Sequence, residues 1–184
     1  DRGKVVSAVC ELKDGQYLLG NENDGILLFD RHAGMVVPYR TAQNVGTAIY
    51  NVFSMLVDDQ TLWIAAFQRG IEAVDLKSRT VKSYLADPSD PSSRVFVLFR
   101  SSSGRIWAGT SVGLFYYDRF EDRFVTRDPK VRISDITEDH AGRLWIATNE
   151  DGLYSYDART DLLQHYRYDP DDPATISRNA VNTL

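Results

Sequence analysis

Cysteine is nearly absent. Cys10 is the one thiol in 184 residues, which excludes an internal disulfide framework and any zinc site built on several thiolates. Positive charge is in deficit: 21 basic residues face 26 acidic ones, a net charge of -5. A nucleic-acid backbone would meet a repelling surface, whereas an uncharged ligand would not, so no nucleic-acid partner is expected. Long apolar runs are missing too. The run Val95-Phe-Val-Leu-Phe99 falls far short of the roughly 18 residues a membrane-spanning helix needs, so no span is expected in this segment. The chain opens on Asp1-Arg-Gly-Lys4, with neither an initiator Met nor an apolar signal core, and reads as part of something longer. Sustained helical periodicity with caps is also lacking, so helix content should be very low. Against these absences, a 43% hydrophobic share can fill a sizeable core and a 26% charged share keeps it soluble, which argues against disorder.

What is present is repetition. The segments Gly15-Gln-Tyr-Leu-Leu-Gly20, Gln60-Thr-Leu-Trp-Ile-Ala65, Gly104-Arg-Ile-Trp-Ala-Gly109 and Gly142-Arg-Leu-Trp-Ile-Ala147 share one layout. Each leads to a second glycine (Gly25, Gly70, Gly113, Gly152), then five positions on to an aspartate (Asp30, Asp75, Asp118, Asp157). Six positions further stands an apolar residue: Val36, Val81, Phe124 or Leu163. The anchors Leu18, Trp63, Trp107 and Trp145 are spaced 45, 44 and 38 residues apart, so internal offsets stay fixed while the linkers vary.

Within each unit the apolar period is two. An opening strand (Val5 to Leu12, Val52 to Val57, Val95 to Phe99, Ile133 to Glu138) runs into a tight turn. Asp14-Gly15, Ser103-Gly104 and Ala141-Gly142 suit positive φ, and Asp59-Gln60, lacking glycine, should form a looser loop. The anchor-bearing second strand follows, then a third such as Leu114 to Asp118 or Leu153 to Asp157, then a fourth such as Leu163 to Tyr166. Four antiparallel strands in 38–45 residues make one blade of a β-propeller. A blade cannot bury both faces alone, which gives Trp and Tyr the role of filler between blades. The expected blades cover approximately 3–43, 44–93, 94–130 and 131–179, with 180–184 beginning a fifth. The fold class is therefore all-β, four-stranded antiparallel propeller blades, about four of them plus one surplus strand, an open fragment of a larger propeller. Uncovered flanks on such an arc imply self-association through exposed blade edges, or contact with other propeller blades of a parent chain.

The unit Asp139-His-Ala-Gly-Arg-Leu-Trp-Ile-Ala-Thr-Asn-Glu-Asp-Gly-Leu-Tyr-Ser-Tyr-Asp157 resembles the two-component regulator propeller repeat, as does Gly104-Arg-Ile-Trp-Ala-Gly-Thr-Ser-Val-Gly-Leu-Phe-Tyr-Tyr-Asp118. The stretch Tyr168-Asp-Pro-Asp-Asp-Pro-Ala-Thr-Ile-Ser-Arg-Asn-Ala-Val181 is similar to that family's linker between blades. The first unit departs from the pattern, with Leu18 for Trp and Asn21-Glu-Asn-Asp-Gly25 for Thr-x-x-Gly, and the second has Ala65-Ala-Phe-Gln-Arg-Gly70. The resemblance implies the periplasmic sensor region of a Bacteroides-type hybrid two-component histidine kinase, responding to oligosaccharides and itself non-catalytic. A polysaccharide lyase or hydrolase propeller and a protein-interaction scaffold are the alternatives.

Blade topology puts the second-to-third loops and the linkers at one end: Asn21 to Asp24, Phe67 to Arg69, Ser111-Val112 and Asn149 to Asp151, with Arg40 to Gly46, Ala86 to Arg94, Asp128 to Lys130 and Asp169 to Arg178. Loops on a rigid scaffold carry recognition. Phe67 offers a stacking plane for a sugar ring, and Gln68 and Arg69 offer fork-shaped donors for hydroxyls or a uronate. Arg94, Asn149, Glu150 and Arg178 are the further ligand-binding candidates. No cofactor or metal is expected. The acidic clusters Asn21 to Gly25 and Asp169 to Pro173 lack the closing Glu of a calcium loop, and His32, His140 and His165 lack zinc spacing. The four repeated aspartates, one per blade, cannot converge on a single ion and suit Asx turns instead. No catalytic residue is assigned: linker acids such as Asp87, Asp90, Asp171 and Glu150 are available to a glycosidase, but no pair is marked.

Overall fold

The computed structural model describes residues 5–13, 15–21, 25–39 and 51–184. The middle of the Asn21 to Gly25 cluster, Asp14 of the first turn and the Arg40 to Gly46 linker lie outside them. Among the described residues sixteen strands form four antiparallel sheets of four, each ordered as in the sequence. Blade 1 comprises β1 (Val6–Lys13), β2 (Gln16–Asn21), β3 (Gly25–Asp30) and β4 (Met35–Pro38). Blade 2 comprises β5 (Val52–Asp58), β6 (Thr61–Ala66), β7 (Gly70–Asp75) and β8 (Val81–Tyr84). Blade 3 holds β9 (Val95–Arg100), β10 (Ile106–Thr110), β11 (Leu114–Asp118) and β12 (Arg123–Arg127). Blade 4 holds β13 (Ile133–Glu138), β14 (Leu144–Thr148), β15 (Leu153–Asp157) and β16 (Leu162–Tyr166). Among the described residues the single helical feature is a 3-10 turn at Pro91–Ser93. The chain is thus an all-β array of propeller blades, in two compact units, Asp1–Val95 and Phe96–Leu184.

The second strands explain why the blades stack. β10 (Ile-Trp-Ala-Gly-Thr) is buried at every position, and β6 is buried from Leu62 to Ala66, the continuous pattern of a strand covered on both faces. In the first unit Leu18, Ile26, Val52, Met55, Leu62, Ile64 and Val74 form one core cluster drawn from blades 1 and 2. In the second, Trp107 and Leu114 of blade 3 cluster with Ile133, Ile136, Leu144, Ile146, Tyr154 and Tyr156 of blade 4. Trp107 is 1% exposed and sits edge-on to Tyr156 with centroids 5.8 Å apart, the inter-blade role its position implied. Trp63 and Trp145 pack on the last-strand tyrosines of their own blades, Tyr84 at 5.8 Å and Tyr166 at 5.6 Å. Two positions after the anchor the side chain must be small. A Cβ on Gly109 would lie 2.6 Å from both Ile133 and Val97, and one on Gly20 would lie 2.7 Å from Val52. Ala65 and Ala147 stand at the corresponding places.

The repeated aspartates close the outer hairpins. One carboxylate oxygen of each accepts backbone N–H groups just ahead: His32 and Ala33 on Asp30, Lys77 and Ser78 on Asp75, Phe120 and Glu121 on Asp118, and Arg159 on Asp157. These bonds hold the Asp30 and Asp75 carboxyls below their ordinary range; the Asp157 carboxyl is lowered first by the Arg159 guanidinium and then by the Arg159 N–H.

Two local expectations are corrected. The Asp59-Gln60 turn is tight, not loose: Asp58 pairs directly with Thr61, and Asp59 adopts φ 53°. Aspartate tolerates the left-handed region because its short side chain bonds locally. The tail 180–184, expected to begin a fifth blade, forms no strand. It nevertheless docks on blade 4. Val181 N donates to Thr148 O at 2.9 Å, and Ser134 Oγ donates to Val181 O at 2.5 Å. Ser7 Oγ makes the same 2.5 Å bond to Val52 O, at the start of β5.

Candidate functional site

Two ends of each blade differ in how their polar groups are satisfied. At the hairpin end the two turns bind each other: Leu76 N donates to Gln60 O at 2.8 Å, and Arg31 N to Gly15 O at 3.0 Å. At the opposite end the second-to-third loop meets the linkers. Phe67 N donates to Asn51 O at 2.9 Å, Asn149 N to Arg132 O at 3.2 Å, and Gly152 N to Asn179 O at 2.8 Å. The glycine that ends each loop is forced by this approach. Gly152 has φ 83°, and a Cβ there would stand 2.2 Å from Tyr166 O; at Gly70 the obstacles are Tyr84 O and Leu85 O, each at 2.3 Å.

In the first unit this end carries Phe67, Gln68 and Arg69 on one loop. Phe67 is 41% exposed, with Phe53 edge-on to its ring at 5.9 Å. Gln68 is exposed and holds φ 55°. Arg69 is drawn back: its Nη2 lies 3.4 Å from Oε1 of Glu72, which is 2% exposed. One arm of the expected fork therefore serves an internal carboxylate. Burial pushes the Glu72 carboxyl up to about 7. Arg94 is exposed and follows the 3-10 turn, which rests against β7. The acids of this linker cap turns: Asp87 accepts from Ser89 N and Oγ, and Asp90 from Ser92 N.

In the second unit Asn149 and Glu150 line a cavity of about 420 Å³ with Val131, Arg132 and Asp151. Arg178 is exposed and lines neither this cavity nor the larger one beside the linker. The structure thus gathers Phe67, Gln68 and Arg69 into one cluster and Asn149 with Glu150 into another. The organising residue of the second is Asp151. It accepts Tyr154 Oη at 2.5 Å, and its other oxygen lies 3.2 Å from Arg167 Nη2. Its backbone carbonyl is 2.6 Å from His165 Nε2. Burial, followed by the Asp151 bond, drives the Tyr154 hydroxyl pKa well upward. The sequence did contain a signal for this group: strand alternation pairs Tyr154 with His165 across β15 and β16. Among the described residues, no group of three or more His, Cys, Asp or Glu side chains is placed to hold a metal ion.

Residues 128–150 match the family described as two component regulator propeller. Over those residues the chain is similar to the two component regulator propeller repeat. Histidine kinase P4 of Formosa agariphila is 34% identical over 97 residues, covering 44% of this chain and 7% of that protein. Two solved extracellular domains, each from a protein assigned as a hybrid two component system of B. thetaiotaomicron, share its fold at TM-scores of 0.81 and 0.78. Both are 20% identical, over 95% and 97% of this chain. The chain spans 23% and 24% of their lengths. Among the described residues no helix is long and apolar enough to cross a membrane.

The physics of the regulator propeller repeat is legible in the matched stretch. Asp139 Oδ1 accepts Ala141 N and Arg143 N, and its Oδ2 accepts Arg143 Nε and the Trp145 indole. The Arg143 N–H is the largest of these influences, and together they pull the Asp139 carboxyl down to about 2. Thr148 Oγ1 donates to Gly152 O at 2.7 Å and accepts Asp151 N at 2.9 Å, fixing the loop that presents Asn149 and Glu150. Thr110 does the same in blade 3, donating to Gly113 O at 2.9 Å. Blade 2 has Ala66 there; its loop is held instead by Arg69 N on Ala66 O at 3.2 Å.

Proposed function

We propose that this chain is a non-catalytic, ligand-binding segment of the periplasmic region of a hybrid two-component sensor, and that oligosaccharides dock on the loop-and-linker ends of its blades. The observation that carries this reading is the contrast between those ends. The hairpin aspartates cap their own turns, whereas the loop-and-linker end presents the exposed Phe67 and Gln68, with Arg69, drawn toward Glu72, on the same loop. A ring face with adjacent forked donors suits a sugar, whose C–H face stacks while its hydroxyls bond. The repeat match and the likeness to extracellular sensor domains support the setting. In the longer protein, the bound sugar would bias how successive blades are placed, and that change would reach a kinase.

The test is a thermal-shift screen of the chain against a glycan panel, with reducing-end release followed in parallel. A ligand at 100 times its dissociation constant adds about 2.7 kcal/mol, read as a rise in Tm that Phe67→Ala removes. Release of new reducing ends would replace the sensor reading with an enzyme. No shift with any glycan would contradict oligosaccharide binding.

A further inference from the structure

An unassigned feature lies in the second unit, between β16 and the 167–179 linker. It is a cleft of about 630 Å³, within the roughly 300–1,000 Å³ typical of small-ligand sites. We propose that it is a second saccharide subsite, taking an uncharged sugar ring against Tyr168. The inference rests on the reading that the ligands are oligosaccharides, and adds a site and a charge class that the Phe67 loop does not specify.

Both walls are held in place before any ligand arrives. On the strand side, His165 lies flat on Tyr154, with centroids 3.9 Å apart and planes 6° apart, and Tyr166 is stacked on Trp145. On the linker side, Tyr168 N donates to Asn179 Oδ1 at 2.7 Å and Asp169 N to Thr175 Oγ1 at 3.0 Å. Thr175 Oγ1 in turn donates to Asp172 O at 2.9 Å. The Asp169 and Asp172 carboxylates cap their own turn, accepting Asp171 N and Ala174 N. A preorganised wall loses little freedom on binding, which favours a ligand with many rotatable hydroxyls of its own.

The lining fits a pyranose. Tyr168, 46% exposed as a residue, lines the cleft and offers the stacking plane, while Arg167 and Asn179 line it with hydroxyl partners. The charge balance selects against a uronate. Arg167 already faces Asp151 at 3.2 Å, and Asp169 adds a second carboxylate to the rim. A sugar carboxylate would have to compete with Asp151 for Arg167 and would face Asp169, whereas a neutral ring would not.

The experiment is calorimetric titration of the whole chain with neutral hexaoses of glucose, mannose and xylose, and with oligogalacturonate as the charged probe. The variants are Tyr168→Ala, Tyr168→Phe and Phe67→Ala. The expected result is a neutral-sugar binding event that Tyr168→Ala weakens at least tenfold and Tyr168→Phe keeps within threefold. An event abolished by Phe67→Ala and untouched by Tyr168→Ala would overturn the cleft and leave the sensor reading standing. A Tyr168-sensitive event that prefers oligogalacturonate would overturn the charge assignment. Absence of heat with every probe would overturn both readings.

Discussion

Glu72 and Asp139 are carboxylates pushed in opposite directions, and they make the fold respond to pH in separate windows. Glu72 sits at about 7 in the folded chain because it is buried. Below its ordinary value both the folded and unfolded states hold the proton. As pH rises toward 7 the unfolded chain ionises first, so stability is lost across that interval, by up to about 3 kcal/mol. The Arg69 guanidinium offsets part of the cost above it. Glu72→Gln should therefore flatten the pH dependence and make the protein more stable than the parent at pH 8, as read by urea midpoints at pH 5 and pH 8. Asp139 works the other way. Its carboxyl lies near 2, so its contribution is present above about pH 4 and disappears as pH falls through 2. Asp139→Asn should lower Tm at pH 6 and remove the part of the acid transition reported by Trp145 fluorescence. An unaltered fluorescence-detected acid transition would contradict that role. The Asx-turn aspartates were readable from spacing alone. Glu72 was not: a glutamate in a period-two strand reads as solvent-facing, whereas this one is 2% exposed.

For the elements, closeness of approach decides what is tolerated. Blade 3 and blade 4 meet at Gly109, where any Cβ would collide with Ile133 and Val97. Gly109→Val should cost about 1–3 kcal/mol through overpacking, measured by chemical denaturation; a neutral effect would mean that the blades do not meet there. Thr148→Val keeps the shape but deletes the hydroxyl that joins Gly152 O to Asp151 N. A loss of about 1–2 kcal/mol is expected, with faster hydrogen exchange over 149–152. Strand limits were close to legible, since β11 and β15 cover the residues expected for them. The β5–β6 turn was misread because glycine marks a left-handed position by its presence, whereas Asp59 adopts that conformation without announcing it.

At the scale of the molecule, the fixed offsets between anchor, glycine and aspartate were enough to give four four-stranded blades, because a repeat reports its structure several times over. The proposed recognition surface was only partly legible. Topology identified the loop-and-linker end, but the cleft beside Tyr168 depends on how the linker bonds to itself, and period-two patterning is silent about linkers. Arg178, chosen for its charge, is exposed and lines neither cavity; its neighbour Asn179 lines the larger one. The most direct measurement of the central claim is an assigned amide NMR spectrum of the whole chain, titrated with a neutral oligosaccharide mixture. Shifts should concentrate at residues 67–69, 149–152 and 165–179, and be absent from the hairpin turns at 59–60, 102–104, 119–122 and 158–161. Shifts centred on those turns would contradict it.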